Sequence, residues 1–168
     1  MFTNKGRVLY FAFGSNLCKE RININCPSAE FQCAAKLEDY QLNFFGHSKM
    51  WCGAVASIVS SAGAYCWGAV WSISTDELAA LDRQERCGHP MGYTRINVGV
   101  CPVDDVTKIT CITYEKTDKS QPALPSRPYK EMMLKGATQC GLPGDYITML
   151  ETVRDNGYHG EVNLINHK

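Results

Sequence analysis

Six consecutive apolar residues, Val8-Leu9-Tyr10-Phe11-Ala12-Phe13, stop abruptly at Gly14. A short run without polar alternation, rich in aromatic and β-branched residues, reads as a strand covered on both faces and places itself at the centre of the fold. The next residues are just as constrained. Gly14-Ser15-Asn16 supplies a turn glycine and two good helix N-cap residues, and Leu17 to Asn25 predicts a short helix that ends before Pro27. The opening unit is therefore strand, tight turn, helix.

Further strands are expected over Phe31 to Lys36, Tyr40 to Phe45, Gly53 to Val59, Tyr65 to Ile73, Tyr93 to Val100 and Lys108 to Glu115. Ser74-Thr75-Asp76-Glu77 has the form of a capping box, with Ser74 capping the Glu77 amide and the Glu77 carboxylate reaching back. A helix is expected from Thr75 to about Arg86, stopped by Gly88 and Pro90. Behind a Ser126 cap, Tyr129, Met132, Met133, Gly136 and Ala137 recur with helical period, as do Tyr146, Met149, Leu150 and Val153. The polar, three-proline stretch from Lys116 to Pro128 is a loop. Strands first and two helices last make a sheet-rich α+β domain, and a length of 168 residues suits one domain over 1–168.

Seventeen basic residues balance seventeen acidic ones, so nothing in the charge recommends nucleic acid or an acidic membrane as the principal partner. A small or mixed-charge ligand fits better. The nine cysteines are odd in number and include no C-x-x-C pair, which argues against a zinc knuckle, a dithiol motif or a secreted disulfide framework. The N-terminus leads into an apolar run too short for a signal-peptide core, and no stretch approaches a membrane span. Reduced, mostly core-filling thiols in the cytosol are the expectation.

Glu85 is the most informative side chain. At about 100° per residue it falls almost over Leu78 and one turn past Leu81, so the apolar face of the helix carries a carboxylate. Burial raises a carboxyl pKa toward the range useful for proton transfer. The alternative is a structural ion pair with Arg83, Arg86 or Arg95. Asp82, near the same stripe, is either a supporting carboxylate or an i, i+4 partner of Arg86. The glycine turn Phe13-Gly14-Ser15-Asn16 offers amides to a carboxylate or developing oxyanion, although the same turn occurs in folds with no ligand there. Ser15 lacks the G-x-S-x-G context of a nucleophile elbow. Cys87 and His89 are a thiol and a base near a helix end, a spacing that says little about geometry.

Tyr10-Phe11-Ala12-Phe13-Gly14-Ser15-Asn16-Leu17, Leu81-Asp82-Arg83-Gln84-Glu85 and Pro125-Ser126-Arg127-Pro128-Tyr129-Lys130 resemble the γ-glutamylcyclotransferase family in order and separation. So do Pro27-Ser28-Ala29, Trp67-Gly68-Ala69-Val70-Trp71, and Gly136-Ala137 with Gly141-Leu142-Pro143 and Tyr146. The resemblance implies a mixed, partly closed β-barrel flanked by helices. It also implies that the loop from Tyr10 to Asn16 (Tyr10, Phe11, Ala12, Phe13, Gly14, Ser15, Asn16) binds a glutamyl moiety largely through backbone groups. By the same likeness Glu85 is the catalytic acid/base, Tyr129 contacts substrate, and Tyr93 lines the pocket.

The implied reaction converts γ-glutamyl amino acids of glutathione metabolism to 5-oxoproline and a free amino acid, with no metal or organic cofactor. A homodimer is implied as well. Glutathione and γ-glutamyl-ε-lysine are the rival substrates, and a non-catalytic binder of γ-glutamyl groups or 5-oxoproline is the rival class. The chain departs from the family pattern at Phe13, where a tyrosine is usual, and at Arg86, where glycine is usual. The segment Arg86 to Gly92 is also one residue longer.

Overall fold

The computed structural model describes residues 6–165; the two ends of the expected 1–168 domain lie outside the described residues. Five strands close into a barrel: β1 (Arg7–Ala12), β2 (Glu30–Ser48), β3 (Gly53–Ser74), β4 (Tyr93–Pro102) and β5 (Ile109–Lys116), in the order β1-β3-β2-β4-β5. All neighbours are antiparallel except β1 and β5, whose parallel pairing at Tyr10 and Ile112 shuts the barrel. The sheet is thus mixed, and its closure is complete.

The apolar run forms β1 as expected. Tyr10, Phe11, Ala12 and Phe13 are buried, and the strand lies between β3 and β5. Four of the other expected strands merge pairwise into two long ones. Within β2 and β3 the register shifts between Glu38 and Tyr40, where Asp39 takes φ 62° and its carboxylate accepts from the Gly63 amide. An irregularity of this kind breaks the sequence pattern without ending the ladder, because backbone pairing resumes on the far side.

The helices are α1 (Lys19–Ile22), α2 (Leu78–Gln84), α3 (Arg127–Gln139) and α4 (Gly144–Thr152), with 3-10 turns at Ser15–Leu17 and Thr75–Glu77. Two sequence expectations need correction. The helix over Leu17 to Asn25 is interrupted at Cys18, whose backbone is extended, and no side chain caps it. The capping box does not form either. Ser74 accepts from Asp76 instead of Glu77, and the Glu77 carboxylate takes the amide and hydroxyl of Ser28. A tertiary tie to the Pro27-Ser28 loop here outcompetes a local one.

Ser126 does cap α3, accepting from the Tyr129 amide at 3.3 Å. That helix buries Tyr129, Met133, Gly136 and Ala137. Gly136 lies against the backbone of Leu17 and Cys18, where a Cβ would overlap the chain, so α3 packs directly onto the turn after β1. In α4, Tyr146 and Leu150 are buried while Met149 stays exposed. The loop after β5 docks on the barrel through bridges from Pro122 to Phe45 and from Pro125 to Ala54.

Candidate active site

β1 delivers Tyr10 and then the glycine turn to one end of the barrel, and the end of α2 delivers Glu85 to the same place. Glu85 caps α2, its amide still bonded to the Leu81 carbonyl at 3.0 Å, one turn beyond the fully buried Leu81. Its backbone carbonyl accepts from the Tyr93 amide at 3.0 Å, which sets Tyr93 beside it despite the longer Arg86 to Gly92 segment.

The Glu85 carboxylate accepts from the Asn16 side-chain amide and from the Gln84 side-chain amide, each at 3.3 Å. The same Asn16 nitrogen donates to the Tyr10 hydroxyl at 3.2 Å, and the Asn16 oxygen accepts from Gln84 at 3.2 Å. Asn25 donates to the Gln84 oxygen at 2.7 Å, which leaves the Gln84 amide nitrogen to face Asn16 and Glu85. Asn16, expected as a helix cap, is drawn off to join the two ends of this network.

Burial raises the Glu85 carboxyl to about 7, opposed by the positive charge of Arg21, the Gln84 hydrogen bond and Lys116. Among the described residues it makes no ion pair. The structural alternative is not realised, since Arg95 binds Asp82 at 2.9 Å and Arg86 turns to His89. Asp82 likewise pairs with Arg95 and the Tyr114 hydroxyl, not with Arg86.

The glycine turn meets Tyr129 from the other side. The Tyr129 hydroxyl lies 2.7 Å from where a Gly14 Cβ would stand, so only glycine allows this approach. That hydroxyl accepts from the Ala56 amide at 3.0 Å, and the Tyr93 hydroxyl donates to the Ala56 carbonyl at 2.6 Å. Burial, first, pushes the Tyr129 hydroxyl up to about 12 and lifts those of Tyr10 and Tyr93, so all three stay protonated at neutral pH. The first turn bond of the 3-10 segment runs from the Leu17 amide to the Gly14 carbonyl, so the Ser15 and Asn16 amides have no partner within the turn.

Tyr10, Gly14, Ser15, Asn16, Glu85, Tyr93 and Tyr129 thus converge. Phe11 and Ala12 do not face the same group: their backbones pair with Val70 and Ala69, and the Phe11 ring packs near that of Phe13. They form the wall behind the site. Phe13 is buried, and Cys87 and His89 are exposed in the turn after α2.

Sequence reasoning missed Gln84, Asn25, Ala56 and Arg21. The last was accessible to it: Arg21 stands four residues after Leu17, the same relation that singled out Glu85 after Leu81. Two surface grooves, one bounded by Tyr65, Tyr146 and Met149 and one by Glu20, Arg21, Ile24, Met132 and Glu161 to Ile165, have neither Glu85 nor Gly14 in their walls. Convergent chemistry, not concavity, locates this site.

Comparison with known proteins gives the chain's family. The AIG2-like family model matches residues 65–150. The γ-glutamylcyclotransferase of Homo sapiens is 40% identical over 158 residues, covering 92% of this chain and 82% of that protein. The Mus musculus protein of the same name is 40% identical over 159 residues with the same coverage. A solved structure described as a γ-glutamyl cyclotransferase superposes with a TM-score of 0.89 at 38% identity, over 94% of each chain. Among the described residues no helix is long and apolar enough to cross a membrane. With a barrel, a glycine turn and a half-buried glutamate beside relatives of this identity and coverage, the chain is an enzyme of the γ-glutamylcyclotransferase family.

Proposed function

We propose that the enzyme converts γ-glutamyl amino acids to 5-oxoproline and a free amino acid, with Glu85 as general acid and base. The ionised carboxylate takes a proton from the α-ammonium group of the substrate. The freed amine attacks the γ-carbonyl carbon, closing a five-membered ring and leaving charge on the carbonyl oxygen. Glu85 returns its proton to the amide nitrogen, the carbon–nitrogen bond breaks, and the amino acid leaves. The two protons shed by the attacking nitrogen end on the leaving amine, so no water or added reductant enters the balance.

The observation that carries this reading is the Glu85 carboxyl, raised to about 7 and bound to Asn16 of the glycine turn. A base poised near neutral pH is half ionised and still able to donate, which suits both proton steps. Ring closure is intramolecular, and holding the glutamyl chain folded is worth several kcal/mol, about 7 or more in well-oriented cases. Protonated Tyr10 and Tyr129 supply donors around the reacting groups, while Tyr93 gives its proton to the Ala56 carbonyl. The nine cysteines are all free, and we place the enzyme in the reducing cytosol on that ground.

The test is turnover of γ-glutamyl-alanine, glutathione and γ-glutamyl-ε-lysine by the full chain, with 5-oxoproline measured directly. Preference for γ-glutamyl-alanine, lost in Glu85→Gln, is the expected result. Preference for either other substrate overturns the substrate assignment. Binding of 5-oxoproline with no product from any of the three would make the chain a binding protein.

A further inference from the structure

Arg21 is a deeply buried cation, 4% exposed, in the last turn of α1. Its guanidinium carbon stands 5.7 Å from the centre of the Trp51 ring, and that ring lies 4.9 Å from Tyr129, edge to face. Tyr129 in turn touches the glycine turn. Among the described residues no carboxylate comes within ion-pair distance of Arg21, and its Nε has no hydrogen-bond partner.

Burying a guanidinium is costly, and native structures meet that cost with an anion and hydrogen bonds. An aromatic face alone supplies only part of it. Burial, first, works against this charge, and the groups that favour it are Glu85, Tyr129 and Tyr10, members of the site itself. The site therefore holds a buried positive group and a half-buried negative one that do not neutralise each other by contact. An amino-acid head group has the complementary pair, one carboxylate and one ammonium.

We propose that Arg21 anchors the α-carboxylate of the γ-glutamyl group, an inference that rests on the ring-closing reaction assigned to this site. With the carboxylate on Arg21, the neighbouring α-ammonium is directed to Glu85. The γ-carbonyl, three carbons along, folds back to the turn, so the Asn16 amide serves the carbonyl oxygen and not the carboxylate, the Ser15 amide being turned to the Tyr129 hydroxyl. The substrate class narrows accordingly to γ-glutamyl compounds whose own α-carboxylate is free. The planar guanidinium matches a carboxylate edge to edge, and Nε is one of the two donors such a pair uses.

Calorimetric titration of the full chain with 5-oxoproline and with neutral 5-oxoprolinamide tests this, in wild type, Arg21→Met and Arg21→Lys. Wild type should prefer the acid by about tenfold or more, Arg21→Lys should keep part of that preference, and Arg21→Met should bind both ligands alike. An acid preference that persists in Arg21→Met overturns the proposal, even if the pH profile of turnover shifts, because that would mean Arg21 acts only on Glu85. Should Arg21→Met not fold, the Nε–H resonance of Arg21 in ¹⁵N-labelled wild type decides: it must move with 5-oxoproline and not with the amide, and a resonance indifferent to both overturns the proposal. Failure of wild type to bind 5-oxoproline or to turn over γ-glutamyl-alanine would instead overturn the ring-closing reaction, and this anchor with it.

Discussion

At Glu85 the proton that serves catalysis also bears on stability. A carboxyl ordinarily near 4.5 is raised to about 7 by burial. Below pH 4.5 folded and unfolded chains both hold the proton. Between 4.5 and 7 the unfolded chain releases it while the folded chain keeps it, so stability falls as pH rises and levels off above 7. At about 1.4 kcal/mol for each pKa unit, the rise from 4.5 to about 7 bounds the loss at about 3.5 kcal/mol, and solvent reaching the half-buried side chain lowers it. Glu85→Gln should therefore abolish turnover, flatten this pH dependence and match or exceed wild-type stability at pH 8 in urea unfolding. Wild-type kcat/KM should rise with pH through about 7, as the carboxylate forms. Tyr129→Phe acts differently, since it leaves the buried Ala56 amide without its acceptor. It should cost about 1–3 kcal/mol in the same unfolding assay and raise KM, because an unpaired donor carries its full desolvation penalty.

Among the elements, the end of α2 decides where the carboxylate stands. Arg86, immediately after Glu85, has φ 51°, in the left-handed region that disfavours a residue with a Cβ. The glycine expected at this place from the resemblance has a physical reason: the chain must reverse there so that Tyr93 can bond the Glu85 carbonyl. Arg86→Gly should relieve about 0.5–1 kcal/mol of strain and raise Tm by a few degrees, with kcat within about twofold of wild type. Calorimetry and the turnover assay check both halves of that expectation. The same helix end holds Gln84, whose amide is oriented by Asn25 and shared between Asn16 and Glu85. Short elements of this kind contribute less by their own stability than by fixing two consecutive side chains at the barrel's end.

Across the molecule, the site exists because α3 presses onto the turn after β1. Gly136 touches the Leu17 and Cys18 backbone, and Tyr129, two turns earlier on the same helix, reaches Gly14. Gly136→Ala should push the helix away, costing about 1–3 kcal/mol by overpacking. It should also lower kcat/KM, although the substitution touches no reacting group; unfolding and kinetics on one preparation test the coupling. Much of this architecture was legible in the chain. The unbroken run from Val8 to Phe13 demanded a central strand, Ser126 and the periodic residues after it demanded α3, and Glu85 on an apolar face demanded an explanation. These are local patterns, set by side-chain period and backbone stereochemistry, and they survive folding. The merging of strands at Asp39, the diversion of Asn16 from cap to network, the pairing of Glu77 with Ser28 and the burial of Arg21 beside Trp51 were decided only by the tertiary structure. Each depends on partners distant in sequence, and a hydrogen bond or charge contact has no period from which those partners can be read.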